Sequence, residues 1–154
     1  MRFLVLVLLL LFAGCRSTQV ADRQAVVAER GSMVMPFDLE RTTHIFDKLP
    51  DGGRQQVLSD DGDTAQIALI QTHLMEEAER FSRGDFHDPQ MIHGDHMAGL
   101  HELMMGHDRI RIDYSPLPEG AEILYTTDDP DMVTAIHNWF DAQVSDHGRH
   151  AEGH

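Results

Sequence analysis

The same punctuation occurs twice in this chain. Leu49-Pro50-Asp51-Gly52 followed by Asp60-Asp61 is matched by Leu117-Pro118-Glu119-Gly120 followed by Asp128-Asp129, at a constant separation of 68 residues. Each proline-acid-glycine turn lies between β-prone runs: TTHIF and RQQVL in the first case, RIRIDY and the run from Glu122 to Thr126 in the second. That is the pattern of a hairpin. Each acidic pair stands just before a helical pattern. Asp63 is placed to cap a helix running to about Phe81, with Ile67, Ile70, Leu74, Ala78 and Phe81 on one stripe. Asp129 and Pro130 supply a cap and a first-turn proline for a second helix, with Val133, Ile136, Phe140 and Val144 on its stripe and Gly148 as its stop. The two stripes correspond at 66 residues, so the first copy carries two extra residues. The order ββα, linker, ββα predicts an α+β two-layer sandwich, a four-stranded antiparallel sheet with two main helices on one face; a ββα duplication is one origin for it.

Ahead of this unit, Met1-Arg2 and the apolar run from Phe3 to Gly14 read as the charged start and hydrophobic stretch of an export signal. The run is shorter than the roughly 20 residues of a membrane span. It ends in Leu11-Phe12-Ala13-Gly14-Cys15, which resembles a bacterial lipobox, whose cysteine is lipidated and becomes the mature N-terminus. A plain signal peptide with a coincidental cysteine is the alternative. The chain then divides into a lipoprotein signal peptide (1–14), the lipidated Cys15 with a flexible tether (15–35), a single domain (36–148) and a histidine-containing tail (149–154). Arg16, a residue other than Asp after the cysteine, fits outer-membrane retention. The expected setting is the bacterial cell envelope, with the domain anchored to a membrane through Cys15 and facing the periplasm.

Composition narrows the function classes. With 26 acidic against 12 basic side chains and a net charge of -14, the chain is unsuited to phosphate backbones, and no nucleic-acid partner is expected. A single Cys excludes an internal disulfide and leaves Met and His as the soft ligands. The chain holds no His-Glu-x-x-His run, no Gly-x-Ser-x-Gly elbow, no Cys-x-x-Cys and no glycine-rich phosphate loop. No catalytic residue is assigned.

The 11 His and 9 Met are what depart from an ordinary composition. The run MIHGDHMAGLHELMMGH, residues 91–107, holds four of each. His93 and His96 are spaced so that two imidazoles reach one ion, from what reads as a surface turn. Met97, His101 and Met104 or Met105 share a face of a short helix expected from about His96 to Met105 with Asp95 as its cap. Imidazole with thioether suits copper first and zinc second. Met97, Leu100 and Met104 are also spaced as core packing. His44 shares a strand face with Phe46 and points toward the helical layer, and His73 flanks the first helical stripe four residues before Glu77. The metal-ligand candidates are therefore His44, His73, His93, His96, Met97 and His101. His137 reads as structural, and His147, His150 and His154 as a solvated tail.

The stretches IALIQTHL, RFSRGDFHDP, IHGDHMAGL and AIHNWFDAQVSDHG resemble a family of small exported bacterial proteins of unassigned function, over roughly residues 40–148. Members sometimes carry the automatic label aspartate carbamoyltransferase. Transcarbamoylases are cytosolic and far longer, and this chain has no recognisable carbamoyl-phosphate site. The resemblance implies export and a shared domain, and supplies no mechanism. The leading expectation is a periplasm-facing lipoprotein that binds a transition metal, copper before zinc, as buffer, sensor or delivery protein. A lipid-anchored interaction module with structural or pH-responsive histidines is the alternative, and a zinc or haem enzyme the third reading. The sequence names no protein partner.

Overall fold

The computed structural model describes residues 2–154, with side chains from Thr18 onward. The elements are α1 (Arg2–Val34), β1 (Thr42–Leu49), β2 (Gly52–Ser59), α2 (Thr64–Phe81), α3 (His87–His93), α4 (Leu100–Gly106), β3 (Arg111–Leu117), β4 (Gly120–Thr126), α5 (Pro130–His147) and β5 (Ala151–Gly153). The class is α+β. The lipidation expected at Cys15 falls outside the described side chains. Among the described residues no helix is long and apolar enough to cross a membrane.

Both hairpins form where the turns predict them. Their registers are equivalent: Leu49 pairs with Gly52 in the first and Leu117 with Gly120 in the second. The hairpins join through β2 and β4, antiparallel, and there Gln55 faces Ile123, its own counterpart at 68 residues. The two main helices are also equivalent. Both have 18 residues and both are capped by an aspartate, Asp63 accepting from the backbone N–H groups of Ala65 and Gln66, Asp129 from that of Asp131. α2 packs on β3 and β4, and α5 on β1 and β2, so each helix crosses to the other hairpin. One sheet face therefore carries the core, with Phe46, Val57, Ile123 and Tyr125 beneath Ile70, Leu74, Ile136, Trp139 and Phe140.

Three expectations need correction. The sheet is five-stranded and mixed, in the order β3-β4-β2-β1-β5, because the residues after Gly148 do not fray but run parallel to β1 and cover its open edge. Residues 16–30, expected as a tether, lie within α1, which packs on α3 and α5. The inward side of α1 is Arg23, Val27 and Gly31, spaced by four, and only one of these is a large apolar residue. The linker holds two short helices in place of one from His96: α3 ends at His93, and α4 starts after Gly99, whose φ of +77° is the left-handed conformation that glycine tolerates.

Candidate functional site

Between α2, α3, α5 and β1 lies a partly open pocket of about 40 Å³. Its apolar wall includes Phe37, Phe46, Val57, Leu74, Phe81 and Ile92, and its polar wall His44, His73, Glu77, His93, Gln143 and His147. Each polar group is placed by local sequence. β1 alternates, and the pleat that buries Phe46 also buries His44. On α2, His73 and Glu77 are four apart and share a face with Ile70 and Leu74. On α5, Ile136, Phe140, Gln143 and His147 continue one inward stripe to the last turn.

Three imidazoles form one side of the cavity. The ring of His147 stacks on that of His44 at a centroid distance of 5.1 Å and meets that of His93 edge-on at 5.0 Å. His44 Nε2 is buried and has no hydrogen-bond partner. His93 Nδ1 lies 2.8 Å from Asp146 Oδ2. A carboxylate can only accept, so Nδ1–H is the donor, and in the neutral ring the Nε2 lone pair is left free. The Nε2–H of His147 donates to Gln143 Oε1 at 3.1 Å, which frees its Nδ1 in the same way.

Asp146 is itself held by Arg23 of α1, which donates to Oδ1 through Nε at 3.0 Å and to Oδ2 through Nη2 at 2.6 Å, and to the His93 carbonyl at 2.7 Å. Burial pushes the Asp146 carboxyl up, but the hydrogen bonds from His93 and Arg23 outweigh it and hold the pKa down at about 2. Burial drives His44 down to about 4, with the charges that His150, His73 and His93 would carry adding to the effect. Burial also lowers His147 well below the ordinary value, with His44 and His93 adding to it, and lowers His73. His44, His73 and His147 are therefore neutral near pH 7, the form in which imidazole ligates a metal.

On the opposite side His73 and Glu77 meet Asp88, which lies outside the lining; the ligand atoms of the three all lie within 4.8 Å of one another, the grouping among the described residues that comes closest to a coordination set. Arg80 bridges the two carboxyls, its Nη1 donating to Glu77 Oε1 at 3.1 Å and to Asp88 Oδ2 at 2.9 Å. Burial, reinforced by the charge of Asp88, raises Glu77 to about 8. The ring of Phe37 stands between the two sides, 5.6 Å from His73 and 6.3 Å from His44, centroid to centroid.

Of the six predicted ligands, His44, His73 and His93 line this cavity. The other three do not. His96 and His101 are exposed, and Met97 is packed in the apolar core, its spacing with Leu100 having expressed packing. His93 is buried at the end of α3 and not in a surface turn. Met91 and Met105 are exposed, and the methionine at the cavity wall is Met35. Sequence reasoning missed His147, assigned to a solvated tail, and Asp88, which joins the His73 and Glu77 pair that a spacing of four marks in the sequence. The spacing of three and four that runs from Ile136 through Phe140 and Gln143 reaches His147, and that was the available signal. His137 is structural: its Nε2–H donates to the carbonyls of Leu49 and Gly52 and ties α5 to the first turn.

The chain matches no protein-family model, no curated protein and no solved structure.

Proposed function

We propose that this chain binds one transition metal ion at this pocket, with donors drawn from the imidazoles of His44, His73, His93 and His147 and the carboxyl of Glu77; the ligand atoms of His73, Glu77 and Asp88 already lie within 4.8 Å of one another. One observation carries the reading: five ligand-type side chains from β1, α2, α3 and α5 line a single small pocket, and His44 Nε2 is buried without a partner. A buried polar nitrogen left unpaired is costly, and an ion supplies what it lacks. Asp146 behind His93 is the carboxylate-to-imidazole arrangement that orients a metal-bound histidine. The donor set favours a borderline divalent ion, zinc or copper(II), over copper(I), because imidazoles and a carboxyl outnumber the single thioether at the wall, that of Met35. At about 40 Å³ the cavity is far below the roughly 300 Å³ at which pockets for organic ligands begin, which disfavours haem. The proposal retains the setting expected from residues 1–15: a lipid-anchored, periplasm-facing protein acting in metal buffering, sensing or delivery.

The test is equilibrium dialysis of the purified chain against zinc(II) and copper(II), with bound metal quantified by mass spectrometry. The proposal predicts one tightly held ion per chain. His44→Ala with His93→Ala should weaken it by at least tenfold, and His96→Ala with His101→Ala should leave it unchanged. Uptake that survives the first pair and disappears with the second would return the site to the linker surface and overturn the reading.

A further inference from the structure

The carboxyl side of this site already holds a cation, and that cation belongs to the chain. His73, Glu77 and Arg80 follow one another on α2 at spacings of four and three, and Asp88 joins them from the first turn of α3. Arg80 forks onto Asp88, Nη1 donating to Oδ2 at 2.9 Å and Nη2 to Oδ1 at 3.2 Å. The same Nη1 donates to Glu77 Oε1 at 3.1 Å, and Nε donates to Asp85 Oδ2 at 3.1 Å. One guanidinium therefore serves three carboxyls, and it leaves the imidazole beside them unserved. His73 is 8% exposed, its ligand nitrogen lies within 4.8 Å of an oxygen of Glu77 and of Asp88, and among the described residues its ring makes no hydrogen bond. A divalent ion that takes nitrogen and oxygen together would satisfy all three. It cannot share the carboxyls with Arg80. An ion bonded to Glu77 Oε1 or Asp88 Oδ2 at about 2.0–2.2 Å would stand within about 5 Å of Nη1, where two positive charges in a half-buried site repel strongly. Arg80 has a place to go. Its Nε already rests on Asp85, which is exposed, so the side chain can swing toward Asp85 and solvent without losing every partner.

We propose, resting on the metal reading above, that the ion takes its oxygen ligands from Glu77 and Asp88 beside the His73 imidazole, and that Arg80 is the cation it displaces. Arg80 is then a placeholder: it holds the two carboxyls together in the metal-free chain and withdraws toward Asp85 as the ion enters. Uptake and release exchange one cation for another, so the carboxyl pair is neutralised in both states, and affinity is lower than the donors alone would give. That suits a protein that gives its ion up again, as a buffer or delivery protein does.

The experiment is competition for zinc(II) between the full chain and a chromogenic chelator, run on the parent, Arg80→Gln and Asp88→Asn. Arg80→Gln keeps a polar side chain and removes the charge, and it should bind zinc(II) about tenfold more tightly than the parent. Asp88→Asn should bind about tenfold more weakly. In the parent labelled with nitrogen-15, the Arg80 Nε–H resonance should move as zinc(II) fills the site. An Arg80→Gln affinity equal to the parent's or below it would make Arg80 an ordinary ion pair or a support for the donors, and would overturn the inference while leaving the metal reading intact. Unchanged affinity in Asp88→Asn would place the ion on the pocket imidazoles without Asp88, with the same consequence. Should Arg80→Gln fail to fold, an Arg80 resonance that zinc(II) leaves in place overturns the displacement in the parent itself. A chain that takes up no zinc(II) or copper(II) overturns the metal reading and this inference with it.

Discussion

Glu77 sets the pH response of the metal-free protein. The residue is 6% exposed, and burial with the nearby charge of Asp88 raises its pKa to about 8. In the unfolded chain it titrates near the ordinary glutamate value, so between roughly pH 4.3 and 8 the folded state binds the extra proton. Stability from this group is therefore complete below the unfolded value and is lost as pH rises through the folded one. Gln mimics the protonated acid at all pH values. Glu77→Gln should remove the alkaline decline, leaving the variant more stable than the parent at pH 9 by an amount on the order of a few kcal/mol. Thermal unfolding of both metal-free proteins from pH 5 to 9 checks this, and parallel curves would contradict it. At this scale the sequence was partly legible. His44 could be read because strand alternation ties it to Phe46, and His73 because it borders the α2 stripe. His147 was hidden because the apolar stripe of α5 was drawn through Val133 and Val144, which lie half-buried, when the inward line runs through Met132, Ile136, Trp139, Phe140 and Gln143. That line is interrupted by polar residues at its end because its end is the cavity wall.

The linker shows how far short elements depend on their glycines. Gly94 and Gly99 bracket the segment between α3 and α4, and both have positive φ, +84° and +77°. A Cβ on Gly94 would meet nothing within 4 Å, whereas one on Gly99 would lie 2.2 Å from the Ala135 carbonyl oxygen and 2.8 Å from the Trp139 nitrogen. Gly94→Ala should cost only the left-handed backbone strain, about 1–2 kcal/mol. Gly99→Ala adds a clash with the backbone of α5 that no rotamer relieves, and should cost more than about 4 kcal/mol. Denaturant unfolding separates the two, and equal losses would show that α4 can lift away from α5. The two glycines also explain why sequence placed one helix where there are two: they weakened the helical pattern without marking where the break falls. α1 was missed for a related reason. Its inward face has Val27 as its one large buried apolar residue, and it is fixed instead by the polar clamp of Arg23 on Asp146 and the His93 carbonyl, which no hydrophobic period reveals. β5 was missed because three residues, Ala151–Gly153, are too few to carry alternation, and what orders them is the open edge of β1.

The two hairpins join antiparallel with Gln55 opposite Ile123, its counterpart at 68 residues, and both main helices reach the same pocket. Positions 73 and 139, 77 and 143, and 81 and 147 correspond at the helix displacement of 66, and all six line the cavity, as His73, Glu77 and Phe81 from α2 and Trp139, Gln143 and His147 from α5. The strand-strand-helix order that occurs twice thus brings both main helices to the pocket, and the residues that differ at corresponding positions supply its polar wall. The architecture was legible because turns, caps and stripes recur with fixed spacing. The site was only half legible, because convergence depends on each helix crossing to the opposite hairpin, a tertiary choice that spacing along the chain does not encode. The central claim is that the ligands meet in this cavity and not along the His/Met run. Anomalous diffraction from a crystal of the zinc-loaded chain, recorded at the zinc edge, tests it most directly. One dominant peak is expected in the pocket lined by His44, His73, Glu77, His93 and His147, with zinc–nitrogen distances of about 2.0–2.1 Å. Dominant density at His96, His101 or the 149–154 tail, with the cavity free of zinc, would contradict it.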